Sequence, residues 1–233
     1  MPLLEFKKVS KSFGLIQALK DVSFSVREGE MVFITGPSGA GKTTILRLLI
    51  RQVRPSSGEV IFDGEDVSKI KRRHIPKLRQ KIGVVFQDFK LLSERTVREN
   101  ANIALAIAKV PGEEWDLRVD HVMELVGLSD RTELFPSQLS GGELQRAALA
   151  RSLVVNPKIL FADEPTGNLD WDTAEEVMKL LERINSEGKT VIITTHHKKI
   201  VTEYGKRMIT LKGGELTGDT GESAKEKSVQ KKK

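Results

Sequence analysis

The stretch that most constrains the fold is "GPSGAGKT", residues 36–43, which matches the pattern G-x-x-x-x-G-K-[ST]. The apolar run "MVFIT" precedes it, and a helical pattern follows it. Glycines at these positions let backbone N–H groups turn inward around phosphate oxygens, and the start of a helix adds partial positive charge. The alternative is an ordinary glycine-rich turn. The pattern favours a strand, a phosphate-binding loop and a helix, the unit from which α/β folds with a parallel sheet are built.

The predicted phosphate site consists of nine consecutive residues, Gly36, Pro37, Ser38, Gly39, Ala40, Gly41, Lys42, Thr43 and Thr44. Lys42 is expected to reach the terminal phosphates of a nucleotide such as ATP, and the Thr43 hydroxyl to face Mg²⁺. The segment "KILFADEP" is expected to contribute to the same nucleotide site, because its apolar run ends in Asp163 at the carboxyl edge of a predicted strand. Asp163 is predicted to hold Mg²⁺, directly or through water. Glu164 is well placed to be the general base.

Strand and helix patterns alternate along the chain. The runs "MVFIT", "KILFAD" and "TVIITT" are typical of buried parallel strands, and shorter strands with glycine turns mark the beginning. Helical patterns cover residues 42–51, 99–108, 117–126, 143–155 and 172–184. The prediction is one domain over residues 1–217, with a core at about 1–90 and 157–217 and a helical subdomain at about 91–156.

Composition excludes several kinds of protein. The 233 residues include no cysteine, so no disulfide or thiolate metal site can form. The sequence has no run of about 18 apolar residues and no signal-peptide pattern at its start. The net charge of +6 arises from interleaved basic and acidic residues with 5% aromatics, so no nucleic-acid partner is expected.

The end of the chain, residues 218–233, is predicted to be a basic disordered tail because it is small, polar and charged. Its lysines, Lys225, Lys227 and Lys231–Lys233, either are simply solvated or make weak contact with anionic lipid.

A second candidate anion site lies in "LSGGELQR", residues 139–146. Ser140 and Glu143 have the spacing of a capping box at the start of a helix. Gly141 and Gly142 would leave backbone N–H groups exposed at the positive helix end. From this stretch alone, a capped helix without a ligand is an equal alternative.

Six motifs in order, "GPSGAGKT", "VVFQD", "LSGGELQR", "ILFADEP", "GNLD" and "TTHH", make the chain resemble ATP-binding cassette (ABC) ATPases over about residues 3–215. The resemblance implies a P-loop NTPase cassette with a RecA-like core, an N-terminal antiparallel β subdomain and an α-helical insertion. It also implies Mg²⁺-dependent ATP hydrolysis by a head-to-tail homodimer that forms on ATP. Ser140, Gly141 and Gly142 of one protomer would bind the ATP held by the other.

The same resemblance gives roles to four further residues. Gln87 would contact Mg²⁺ and the attacking water, although it could instead be a polar residue that merely ends a strand. Asp170 would lie at the dimer interface, and His196 would touch the γ-phosphate, with His197 where the family usually has aspartate. Phe13 would stack on adenine, the alternative being a core-filling position. The predicted catalytic residues are Glu164, His196 and Gln87, and the predicted Mg²⁺ ligands are Thr43, Gln87 and Asp163.

The segment "ADEPTGNLD" is similar to the branch of the family that serves cell division, lipoprotein release and macrolide export, and within that branch "FQDFKLL" followed by "RTVRENANIAL" is most similar to the cell-division members. That likeness implies an integral membrane partner, with the chain peripheral on the cytoplasmic face of the inner membrane. We expect the partner to dock near Phe89, Leu91 and Leu92, unless these side chains only pack within the helical insertion. The alternatives are an ATPase subunit of an exporter or lipoprotein extractor, a soluble ATPase acting on DNA or the ribosome, and a scaffold that no longer hydrolyses ATP.

Overall fold

The computed structural model describes residues 1–221, except for the side chains of residues 198–200. The strands of this part of the chain are β1 Leu4–Phe13, β2 Ile16–Val26, β3 Met31–Thr35, β4 Ser57–Phe62, β5 Glu65–Asp66, β6 Ile82–Val85, β7 Ile159–Asp163, β8 Thr190–Thr195, β9 Arg207–Lys212 and β10 Glu215–Asp219. The helices are α1 Lys42–Leu49, α2 Ile75–Gln80, α3 Val97–Ala108, α4 Trp115–Leu125, α5 Gly141–Leu153, α6 Trp171–Ser186 and α7 Lys198–Tyr204. The three apolar runs form strands and the five helical patterns form helices.

The described residues divide into two compact units, residues 1–72 with 192–221, and residues 73–191. This grouping differs from the predicted core and insertion, because β6, β7 and α6 belong with the helices. The physical reason is that β6 pairs in parallel with β7, Val84 opposite Phe161, and α5 packs on β6. The predicted tail starts too early, since β10 extends through Asp219. The tail from residue 222 lies outside the described residues.

The first unit contains an antiparallel sheet in the order β2-β1-β4-β5, in which the Phe6 and Phe24 rings stack 4.7 Å apart. It also contains β3, which pairs in parallel with β9, and β10, which pairs antiparallel with β9. Residues 31–34 of β3 are buried, as expected for an apolar run with neighbours on both faces. This buried strand fixes the position at which the loop of residues 36–41 begins.

The last hairpin of this unit is held by Arg207. Its guanidinium donates to both carboxylate oxygens of Asp219, to Glu30 Oε1 at 3.0 Å and to the Ser25 carbonyl at 2.8 Å. The Asp219 side chain is only 1% exposed. The carboxylates raise the pKa of Arg207, so it remains charged throughout the accessible pH range.

The second unit places helices α2–α6 around the β6–β7 pair. Residues 91–156 contain helices and no strand, as predicted. Leu105, Val119 and Leu149 on three different helices are fully buried, so these helices share an apolar core. Within residues 1–221, none of the helices combines the length and the apolar character that crossing a bilayer requires.

Candidate active site

The loop of residues 36–41 forms a tight cradle in the first unit. Lys42 is buried, and its Nζ donates to the carbonyl oxygens of Gly36 at 2.7 Å and Pro37 at 3.3 Å. Gly41 has a φ of 105°, and a Cβ there would lie 2.6 Å from Leu19 Cδ2, so only glycine fits. Helix α1 follows with no side-chain cap from Gly41 and no acidic residue in its first turn. Its positive end is therefore well suited to an anionic ligand.

Exposure varies along the rest of the predicted phosphate site. Ser38, Gly39 and Thr43 are exposed, whereas Ala40 and Thr44 are buried beneath the loop. Thr43 is thus exposed at the start of α1, in keeping with its predicted Mg²⁺ role.

His196 belongs to the same unit and lines the same cavity as the start of the loop. This cavity measures about 680 Å³, and its lining includes Gly36, Pro37, His196 and Thr210. The His196 and His197 rings lie 4.2 Å apart, and the His197 N–H donates to Thr195 Oγ1 at 3.0 Å. The structure therefore brings His196 and the phosphate loop together, while His197 continues the turn into α7.

Phe13 ends strand β1 and is 39% exposed, which makes the core-filling alternative wrong. Lys11 Nζ lies 4.9 Å from the centroid of the Phe13 ring, as in a cation–π contact. An exposed ring at a strand end remains able to stack on a base.

In the second unit, the carboxyl ends of β6 and β7 carry three of the predicted residues. Asp163 is the last residue of β7 and is 9% exposed. Glu164 follows with a φ of 52°, a left-handed conformation that strains a non-glycine residue by about 1 kcal/mol or more. Gln87 comes shortly after β6. Because β6 and β7 are parallel neighbours, these residues lie at the same edge of the pair.

Gln87 is tied to the loop that follows Glu164. Its Nε2 donates to Asn168 Oδ1 at 3.3 Å, and Asn168 Nδ2 donates to the Gln87 carbonyl at 3.1 Å. A Cβ on Gly167 would meet Gln87 Nε2 at 3.0 Å, so the two loops are in close contact. Sequence reasoning missed Asn168, and its position within "GNLD" was the only signal available.

The "LSGGE" stretch forms the predicted capping box. Ser140 Oγ accepts from the Glu143 N–H at 3.3 Å, and the Ser140 N–H and Oγ–H both donate to Glu143 Oε2 at 2.8 Å. These hydrogen bonds, led by the backbone N–H, lower the pKa of Glu143. A Cβ on Gly142 would lie 2.5 Å from Thr173 Cγ2, so glycine is required by close approach rather than by φ.

Asp170 caps helix α6. Its carboxylate accepts from the Thr173 N–H at 3.0 Å and from Thr173 Oγ1 at 2.7 Å, and these bonds lower its pKa. Because Gly142 also contacts Thr173, the second unit brings the "LSGGE" and "GNLD" motifs together.

Of the three residues predicted to meet a partner, Leu92 lies on a groove and is 47% exposed. The groove measures about 600 Å³, and its lining includes Leu92, Ile103 and Ile107, the last of these 69% exposed. Phe89 and Leu91 are half-buried and lie outside the groove lining.

Known proteins are similar to this chain over most of its length. The family model described as "ABC transporter" matches residues 19–167. A relative from Bacillus subtilis, "Cell division ATP-binding protein FtsE", is 45% identical over 218 residues, covering 93% of this chain and 96% of its own length.

Two solved structures of one cassette also match. The dimeric structure of MJ0796, described as a bacterial ABC transporter cassette, has a TM-score of 0.83 at 39% identity and covers 93% of this chain and 97% of its own. A dimeric post-hydrolysis state of MJ0796 bound to ADP and Pi has the same TM-score and the same coverage of both chains at 37% identity. The predicted cassette fold, α/β with an antiparallel β subdomain and a helical segment, is confirmed. The chain belongs to the ABC transporter family, and it is an ATPase of that family.

Proposed function

We propose that this chain is the ATP-binding and ATP-hydrolysing subunit of a bacterial cell-division complex. It dimerises on ATP and drives conformational change in an integral membrane partner similar to FtsX, which regulates cell-wall hydrolases. The catalytic part of the proposal rests chiefly on the strained backbone of Glu164, directly after Asp163 and at the same strand edge as Gln87. The cell-division part is supported by the 45% identity to the protein named FtsE.

Lys42 and the loop of residues 36–41 would bind the phosphates of ATP. The Lys42 ammonium already lies within the loop, held by the Gly36 and Pro37 carbonyls, so it is preorganised for a phosphate oxygen. Phe13 would stack on the adenine ring through its exposed face.

Thr43, Asp163 and Gln87 offer hydroxyl, carboxylate and amide oxygens, the hard donors that Mg²⁺ prefers. Among residues 1–221 no three histidine, aspartate or glutamate side chains gather into a metal site of their own. That fits an ion bound by few protein ligands and by substrate phosphates. When bound, Mg²⁺ would neutralise charge on the phosphates.

Glu164 would act as the general base that takes a proton from the attacking water, with Gln87 orienting that water. His196 would hydrogen-bond the γ-phosphate from the cavity that it shares with Gly36 and Pro37. In the ATP-bound homodimer, the "LSGGE" loop of one copy would contact the nucleotide of the other, with Asp170 at the interface.

The membrane partner would dock at the groove beside Leu92, near Phe89 and Leu91. The exposed side chains of Leu92 and Ile107 give this groove an apolar surface that a helix of the partner would cover. The chain would then be held at the cytoplasmic face of the inner membrane. The lysines after residue 222 lie outside the described residues, and their weak contact with anionic lipid stays a prediction.

The decisive experiment replaces the proposed base. Glu164→Gln keeps the size and polarity of the side chain but cannot accept the proton, so the variant should accumulate as an ATP-bound dimer that gel filtration detects. The wild type should not accumulate in this way. Identical behaviour of the two proteins would favour a scaffold that does not hydrolyse ATP.

The second candidate is the ATPase subunit of an exporter or lipoprotein-releasing complex, favoured by the likeness to MJ0796, described as a transporter cassette. Affinity capture from membranes identifies the co-purifying integral protein. Depletion then separates the two functions, because filamentous cells are expected only for the division role.

A further inference from the structure

The loop after Gln87 contains two adjacent non-glycine residues in the left-handed region, Phe89 with a φ of 57° and Lys90 with a φ of 54°. Such residues carry about 1 kcal/mol or more of strain each, and they persist only where their surroundings hold them. The Phe89 N–H donates to the Phe86 carbonyl at 3.0 Å, which closes a turn, but this hydrogen bond does not involve the Phe89 and Lys90 carbonyls. Another part of the unit must therefore hold those carbonyls.

Arg151 on helix α5 holds both. Its Nη2 donates to the Phe89 carbonyl at 2.9 Å, and its Nη1 donates to the Lys90 carbonyl. Burial lowers the pKa of the Arg151 guanidinium, and no carboxylate among the described residues offsets that effect. A guanidinium presents two N–H groups in a fixed fork, which matches two adjacent acceptors in a way that an ammonium does not.

The same loop is anchored on both sides of this contact. At its start, Gln87 exchanges hydrogen bonds with Asn168. At its end, the buried Asn100 side chain accepts from the Leu92 N–H at 2.9 Å and donates to the Leu92 carbonyl at 3.1 Å. Arg151 is the anchor that belongs to α5, the helix that begins in the "LSGGE" motif.

We propose that Arg151 is a positioning residue that fixes the loop of residues 87–92 to helix α5 and thereby sets the place of Gln87. A displacement of the "LSGGE" end of α5 is then transmitted to Gln87 through the Phe89 and Lys90 carbonyls, to which Arg151 donates. The inference rests on the proposed catalytic role of Gln87. Arg151 acts through Gln87 and is not itself a catalytic residue.

Arg151→Lys in the full-length chain tests the inference, because lysine keeps the charge but loses the fork. Hydrogen exchange of the amides in residues 87–92 should accelerate. The kcat for MgATP should fall about tenfold while KM stays within about twofold, since a small displacement of an orienting group affects chemistry more than binding. Arg118→Lys is the matched control, because Arg118 on α4 pairs with Glu114 in the preceding turn, at 2.6 Å, and the loop of residues 87–92 is not among its partners in the described part of the chain. This control should change neither measurement.

A double variant decides whether the effect passes through Gln87. In a Gln87→Ala background, Arg151→Lys should lower kcat by less than about twofold, because coupled residues are not additive. A further tenfold loss would overturn the inference, as would normal exchange and normal kcat in the single Arg151→Lys variant. Normal turnover in Gln87→Ala would instead overturn the proposed role of Gln87, and with it this inference.

Discussion

Replacing Arg207 by methionine should destabilise the chain strongly, because the substitution leaves a buried carboxylate behind. The Arg207 side chain is 16% exposed and that of Asp219 is 1% exposed. Removing one partner of a buried ion pair costs about 3–5 kcal/mol, and we expect the lower end because Arg207 retains some contact with water.

Urea unfolding and thermal melting of purified Arg207→Met measure this loss. For a chain of this size, each kcal/mol shifts Tm by about 2–4 °C, so Tm should fall by about 10 °C. The matched control is Lys20→Met, which breaks the 2.6 Å ion pair between Lys20 on β2 and Glu215 on β10, the strand that also carries Asp219. Its side chains are 59% and 50% exposed, so Tm should hardly change.

The reasoning would be refuted if Arg207→Met lost less than about 1 kcal/mol or if the two variants shifted Tm equally. A second variant, Arg207→Met with Asp219→Leu, also removes the carboxylate that Arg207→Met leaves buried without its arginine. It should recover part of the loss, since apolar replacement of a whole buried pair is often nearly neutral.

Three further predictions concern the site and its groove. Gly142→Ala places a methyl group 2.5 Å from Thr173 Cγ2. The variant should still bind ATP in a fluorescent-nucleotide titration but should fail to dimerise. Dimers on gel filtration would contradict this. The pKa of Glu143 is lowered in the folded chain, so its contribution to stability is present at neutral pH and is lost as the pH falls through that lowered pKa. Glu143→Gln should therefore flatten the acid side of a curve of Tm against pH. An unchanged acid side would exclude the contribution. Leu92→Asp should abolish co-purification with the membrane partner while ATP binding is kept. The control is Leu117→Asp on α4, at a residue that is 77% exposed, and it should not affect co-purification. Equal effects of the two variants would refute the docking site.

Local patterns made part of this structure predictable. The β3–loop–α1 segment and the Ser140–Glu143 capping box depend on residues close together in sequence, and both form as predicted. Helix α2 has no clear signal in the sequence, because six residues are too few to show a helical period.

Other features depend on distant residues. The left-handed pair Phe89–Lys90 is held by Arg151, which no local pattern connects to it. Asp219 looked like part of a polar tail because its partner, Arg207, lies on the neighbouring strand. Asn168 gains its importance only through the hydrogen bonds with Gln87.

The contact of Gly142 with Thr173 has a mechanical consequence for the cassette. The first turns of α5 and α6 touch without space for a single methyl group, and Arg146 adds an ion pair to Glu176 at 3.4 Å. A rigid displacement of the first turn of either helix toward the other is blocked, so a push on one of them in that direction is passed to the other. Two motifs that are separate in the sequence are therefore in direct mechanical contact at the starts of α5 and α6.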